Sequence, residues 1–206
     1  MITSPFYPIG TTGKRWGEPE TLAWRNGTRI RRSYQDDVVQ RILNLKDRYS
    51  VSRYGGLSVN PERYPLYYLK NKNWDAARPI ILITGGVHGY ETSGVSGALQ
   101  FMETYATDYL DQFNILCIPC VSPWSYETIN RWNPLALDPN RSCYTNSPCE
   151  ESNHLIRLVS AYTQQILAHF DLHETTQSDE SEFRPALSVK RRTKNAKAFH
   201  DKCENG

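Results

Sequence analysis

The 206-residue chain shows neither a membrane-spanning run nor a visible secretory leader, and the expectation is that it stays out of the membrane and inside the cell. No stretch approaches the roughly 20 consecutive apolar residues needed to span a bilayer. The opening, Met1-Ile-Thr-Ser-Pro-Phe-Tyr-Pro, has neither the basic segment nor the apolar run of a secretory leader. Cysteine is scarce and odd in number, five residues without framework spacing, which fits a reducing compartment; the expectation is cytoplasmic. Charge of one sign is also missing. With 24 Lys+Arg against 22 Asp+Glu the net charge is +2, too little to draw the chain to nucleic acid or to a membrane surface. There is no internal repeat and no low-complexity linker. A hydrophobic share of 39% with 12% aromatics excludes an intrinsically disordered chain, and the length suits one α/β domain with a sizeable core.

The charge is unevenly placed. Between Ala186 and Gly206 six bases (Lys190, Arg191, Arg192, Lys194, Lys197, Lys202) face two acids (Asp201, Glu204), so this tail is strongly basic and the rest slightly acidic. The run Lys190-Arg-Arg-Thr-Lys reads as a solvated terminus rather than a docking patch.

Periodicity places the elements. The segment through Gly27, rich in Pro, Gly and Trp, reads as an irregular wrap. Ser33 can cap a helix carrying Val38, Val39, Ile42, Leu43 and Leu45 on one face. Tyr49 to Tyr54 and Tyr64 to Leu69 read as strands separated by turn residues. The apolar run Pro79-Ile-Ile-Leu-Ile-Thr84 before Gly85-Gly86 is the pattern of a buried strand entering a functional loop. A helix is expected over Val95 to Tyr105, a buried strand over Phe113 to Val121, and a long irregular stretch over Ser122 to Ser152, of a length that is often functional. A helix over Glu151 to Leu167 and a short strand Phe170-Asp-Leu-His173 follow. This alternation predicts an α/β fold, three-layer α/β/α around a mostly parallel, mixed sheet. In such sheets ligands sit beyond the carboxyl ends of strands, and both Gly85-Gly-Val-His88 and Asp171-Leu-His173 lie there.

His88-Gly-Tyr-Glu91 sets an imidazole and a carboxylate three residues apart just after a strand, close enough to converge on one point. A hydrolytic zinc site uses three protein ligands and an open position, His₂Glu being one established set; His173 at a later strand end is the candidate third ligand. Alone, His-x-x-Glu is a weak signal. His88 could equally be a loop histidine and Glu91 a carboxylate at a helix N-terminus.

An ordered set between the two histidines adds to it: Arg131, then Asp138-Pro139-Asn140-Arg141. From about Tyr64 to Pro185 the chain resembles the carboxypeptidase A-like zinc metallocarboxypeptidases. The resemblance implies Zn2+ held by His88, Glu91 and His173. It implies Arg131 as the cation that polarises the scissile carbonyl, and Asn140 and Arg141 as the grip on a substrate's terminal carboxylate. Asp138 would accept a proton from a ligand imidazole and fix its tautomer. The substrate implied is a peptide with a free carboxylate. Asp171-Leu-His173-Glu-Thr-Thr is also similar to the aspartoacylase and succinylglutamate desuccinylase branch, which implies an N-acyl amino acid as the alternative substrate.

The chain departs from the pattern in two places. Ser142-Cys143 follow Arg141 where the family has Asn and an aromatic residue. The family's general base, a glutamate on a strand well downstream of the third ligand, has no counterpart among the 33 residues after His173, so the general base is unknown. Glu174 would point to the opposite face from His173. Asp179, Glu180 and Glu182 read as a solvated acidic loop. The expectation is one domain over 1–206 (wrap and helix 1–48, catalytic core 49–185, basic tail 186–206), incomplete at its C-terminus, with a non-catalytic zinc-binding form as a further alternative. Cys117 and Cys120 are expected to be inert core thiols. Cys143 and Cys149 flank a loop, His154 and His169 belong to a helix face and its end, and His200 to the tail.

Overall fold

The structure, a computed structural model, describes residues 9–11 and 13–174. The chain divides into two units, one comprising Met1–Glu20 with Thr175–Gly206, the other Thr21–Glu174. In the described part of the first, the Gly17 amide donates to Glu20 Oε2 at 2.9 Å.

Helix α1 (Glu18–Gly27) occupies part of the stretch expected to be irregular. Pro19 misleads a sequence reading here, because proline is tolerated in a first turn, where its missing N–H is unneeded. In the second unit the buried Trp24 packs on Trp124 with ring centroids 5.6 Å apart. The expected cap is present, with Ser33 Oγ accepting from the Asp36 amide at 3.0 Å. It opens a π-helical turn, Gln35–Val39, that runs into α2 (Gln40–Asn44) and buries Val38, Val39 and Ile42.

Five strands follow among the described residues: β1 (Tyr49–Gly56), β2 (Pro65–Asn71), β3 (Ile80–Gly85), β4 (Asn114–Ile118) and β5 (Ile166–Leu172). They form one sheet in the order β1-β2-β4-β3-β5. β1–β2 and β2–β4 are antiparallel; β3 runs parallel to both β4 and β5. The sheet is therefore mixed, with its parallel half at the β5 side.

Helices cover both faces, as an α/β/α arrangement requires. Ile80, Leu82, Leu116 and Ile118 alternate onto one face, where Leu155, Leu158 and Val159 of α5 (Glu150–Ser160) close over them. Ile81, Ile83 and Ile115 point to the other, beneath α3 (Thr92–Gln100) and its π-helical extension Phe101–Tyr105. There they line an apolar cavity of about 530 Å³ with Phe101, Phe170 and Leu172.

Two expectations are corrected. The stretch Ser122 to Ser152 is not structureless. It contains α4 (Pro123–Thr128), every residue of which is buried, and a 3₁₀ turn over Pro139–Arg141. A helix buried all round has no amphipathic period to detect. α5 ends at Ser160, not at Leu167, so Ile166, Leu167 and His169 belong to β5. Ile166 happened to continue the helical spacing, but successive turns closed by Tyr162 and Gln165 reverse the chain, and the Ile80 amide pairs with the Gln165 carbonyl at 2.8 Å.

Candidate metal centre

Two parallel strands deliver the centre. β3 ends at Gly85, and Gly86 takes a left-handed φ of +61°, open to glycine and strained for most other residues. The carbonyls of Gly85 and Gly86 accept from the amides of Val121 and Ser122, which pins the loop against the chain leaving β4. Gly89 then passes so close to α4 that a Cβ there would lie 1.8 Å from the Ser125 carbonyl carbon. A turn closed by the Glu91 amide on the His88 carbonyl, at 3.2 Å, directs both side chains inward, and Glu91 becomes the residue preceding the first turn of α3. His173 arrives from the neighbouring strand, just beyond the end of β5.

The three side chains meet. His88 Nδ1 lies 2.8 Å from Glu91 Oε1, and His173 Nδ1 lies 2.8 Å from Glu91 Oε2. One ligand atom from each residue falls within 4.8 Å of the others. His88 and Glu91 are buried, and His173 is about one-third exposed, which leaves the centre open on one side.

Each imidazole is also held from behind. His88 Nε2 donates to Asp138 Oδ1 at 3.0 Å, and His173 Nε2 donates to Asp171 Oδ2 at 2.7 Å. A carboxylate on Nε2 fixes the tautomer that turns the Nδ1 lone pair toward the common point, the arrangement typical of metal-binding histidines. Without a cation, the Nδ1–carboxylate contacts need protons, because carboxylate oxygens only accept. The hydrogen bonds of Asp171 and then Glu91 accordingly push the His173 imidazolium up to about 10. Burial works against a charged His88, yet its bonds to Asp138 and Glu91 raise it on balance. Burial likewise opposes ionisation of Glu91, Asp138 and Asp171, and the histidines outweigh it, aided at Asp138 by Arg131, so all three carboxyls sit below their ordinary values. Three convergent N and O donors with carboxylate-anchored rings fit a divalent cation, and the mixed His₂Glu set suits zinc.

Around this core, Asp138 Oδ2 accepts from Arg131 Nε at 3.1 Å, and an Arg131 terminal nitrogen lies 3.3 Å from the Tyr90 hydroxyl. The Tyr90 ring stacks on His88 with a centroid separation of 5.9 Å. Asn140 donates its backbone amide to Asp138 Oδ1 at 3.0 Å, and Arg141 follows with an exposed side chain. The structure thus joins His88, Glu91, His173, Asp138 and Arg131 in one network, with Asn140 and Arg141 on the adjoining turn. Glu174 turns away from the centre and accepts from Ser93 N–H and Oγ–H at the start of α3, at 3.0 and 2.9 Å. Asp179, Glu180, Glu182 and His200 lie outside the described residues. Cys117 and Cys120 are buried, and burial pushes both thiols well above their ordinary range.

Sequence reading missed Asp171, Thr84 and Tyr90. Asp171 was within reach, since residues two apart on a strand share a face and Asp171-x-His173 is such a pair. Thr84 was not, because its partners are on another strand.

No protein-family model matches this chain, and no curated protein matches it. Solved structures do. A Shewanella denitrificans OS217 protein bearing a metallopeptidase name superposes with a TM-score of 0.58 at 18% identity over 66% of this chain and 52% of that one. Carboxypeptidase A from Helicoverpa armigera gives 0.56 at 14% identity over 76% of this chain and 51% of that one. The fold is that of the metallocarboxypeptidases. Bovine thrombin-activatable fibrinolysis inhibitor, solved in complex with tick carboxypeptidase inhibitor, gives 0.54 at 17% identity over 75% and 63%. The chain spans about half the length of the first two of these metallocarboxypeptidase-like structures.

Proposed function

We propose that the chain carries the zinc centre of a metallocarboxypeptidase-type hydrolase that removes C-terminal residues from peptides. The observation that carries this reading is the convergence of His88, Glu91 and His173, with ligand atoms within 4.8 Å of one another and a carboxylate behind each imidazole. His88 and His173 would hold Zn2+ through Nδ1 and Glu91 through its carboxylate. A bound Zn2+ supplies Lewis acidity and water of lowered pKa.

The remaining roles belong to the chain's own residues. Asp138 and Asp171 keep the Nε2 protons and so hold both rings in the ligating tautomer. Arg131, steered by Asp138 and Tyr90, brings a permanent cation beside the centre, where it stabilises negative charge developing on a carbonyl oxygen. Arg141, exposed on the next turn with Asn140 beside it, offers a planar fork for a substrate carboxylate. In this reading the substrate is anchored by its free C-terminus and the bond cleaved is the last amide. The cytoplasm is its proposed setting, on the count and spacing of cysteines.

The test uses the full 206-residue chain and a pair of peptides that differ only in a free or an amidated C-terminus. Zinc binding near one equivalent and release of the terminal residue from the free acid alone are expected, with loss of both in Glu91→Gln. Absence of zinc uptake, or zinc uptake without release of the terminal residue, overturns the reading.

No helix among the described residues is long and apolar enough to cross a membrane.

A further inference from the structure

Behind His173 the hydrogen bonds do not stop at Asp171. Thr84 Oγ1 donates to Asp171 Oδ1 at 2.7 Å, and the same oxygen lies 2.7 Å from His169 Nε2. The register of the parallel pair explains how. Thr84 on β3 is the direct partner of Asp171 on β5, and Leu82 is the partner of His169, so Thr84, His169 and Asp171 fall on one face of the sheet.

The protons can be assigned by counting. A threonine hydroxyl has one hydrogen, and an ionised carboxylate can only accept, so the hydroxyl proton points at Asp171. The remaining contact must then be His169 Nε2–H donating to Oγ1. The result is a one-way chain: His169 Nε2–H to Thr84 Oγ1, Thr84 Oγ1–H to Asp171 Oδ1, and His173 Nε2–H to Asp171 Oδ2. Thr84 is 1% exposed and sits on the inner strand, whereas Asp171 and His169 lie on the exposed β5. The rigid element is therefore the threonine.

We propose that Thr84 is the positioning residue of the centre, fixing Asp171 and through it the Nδ1 direction of His173, with His169 committing the hydroxyl proton. The inference rests on the metal-centre reading above and adds to it a residue that neither ligates nor touches substrate. An exposed aspartate bonded to water could not hold an imidazole in one orientation; one hydrogen-bonded to a buried neighbouring strand can.

The experiment measures affinity of the full chain for Zn2+ by competition with a chromogenic chelator, and records the visible spectrum of the Co2+-loaded protein. Thr84→Val keeps the shape and β-branching and removes both hydrogen bonds; Thr84→Ser keeps the hydroxyl. Valine is expected to weaken Zn2+ by about tenfold or more and to alter the Co2+ bands, while serine leaves both as in the wild type. A valine variant that binds Zn2+ as tightly as wild type overturns the inference, as does a serine variant weakened as much as valine. If the valine variant does not fold, His169→Phe at its exposed site is measured instead. A smaller but clear loss of affinity is expected, and unchanged affinity overturns the inference. A wild-type chain that takes up no Zn2+ overturns the hydrolase reading itself, whereas tight wild-type binding with an indifferent Thr84 overturns only the positioning role.

Discussion

Asp138 holds His88 and Arg131 at once: one carboxylate oxygen accepts from the imidazole Nε2 at 3.0 Å, the other from the guanidinium Nε at 3.1 Å. The proposed ligand and the proposed oxyanion partner are thereby set relative to one another by a single buried side chain, which also receives the Asn140 amide. Substitution of Asp138→Asn leaves one acceptor but turns an NH₂ toward Arg131, donor against donor. Zn2+ affinity should fall by about tenfold or more, with a lowered Tm; chelator competition and thermal melts check both.

Gly89 faces the backbone of Ser125 with no room for a Cβ, the ideal position lying 2.0 Å from the Ser125 carbonyl oxygen. Because the obstruction is backbone, rotamer changes cannot relieve it. Gly89→Ala should destabilise the fold by about 3 kcal/mol or more, at or beyond the upper end of ordinary overpacking. Urea midpoints at constant slope would check it, and an alanine variant as stable as wild type would contradict the close approach.

Glu127 ties two other segments to α4. Its Oε1 accepts from the Tyr34 amide at 2.9 Å, and its Oε2 accepts from Arg63 Nε at 2.8 Å and from Tyr64 O–H at 2.9 Å. Arg63 is nearly half exposed and can recover water, so the loss on substitution falls on the two buried neutral donors. Glu127→Leu should cost about 2–6 kcal/mol, on the order of 1–3 per stranded group, and Glu127→Gln distinctly less. Chemical denaturation of the two variants distinguishes these outcomes.

Glu151 gives a pH-dependent test. Burial raises its carboxyl above the ordinary value, against the hydrogen bond from Asn133 Nδ2 at 2.8 Å. A carboxyl raised on folding favours the native state while protonated. Its contribution is complete below the unfolded value near 4.5 and is lost as the pH rises through the native value. Wild type should lose stability relative to Glu151→Gln as the pH rises above about 4.5. Melting curves of the pair across this range check the sign.

The share of all this legible in the sequence follows from how local each signal is. His88 and Glu91 are three residues apart behind an apolar run with two glycines, and His173 closes another strand, so spacing made the three candidates and the resemblance made them a proposed ligand set. The Asp138-to-Arg141 turn was legible through resemblance. Thr84 and His169 became partners only through the parallel register of β3 and β5, which no spacing along the chain encodes. α4 escaped because it is buried on every side, and the start of β5 because Ile166 suited either period.

β5 is the last strand on its side of the sheet among the described residues, pairing only with β3. Leu167 and Phe170 on it are more than half exposed, and its sequence, Ile166-Leu-Ala-His-Phe-Asp-Leu172, has no lysine or proline to discourage another strand from adding alongside. Among the described residues, the strand that brings His173 to the candidate centre is thus also the open edge of the sheet. Strand addition at this edge and the placing of His173 at the candidate centre therefore draw on the same stretch of backbone.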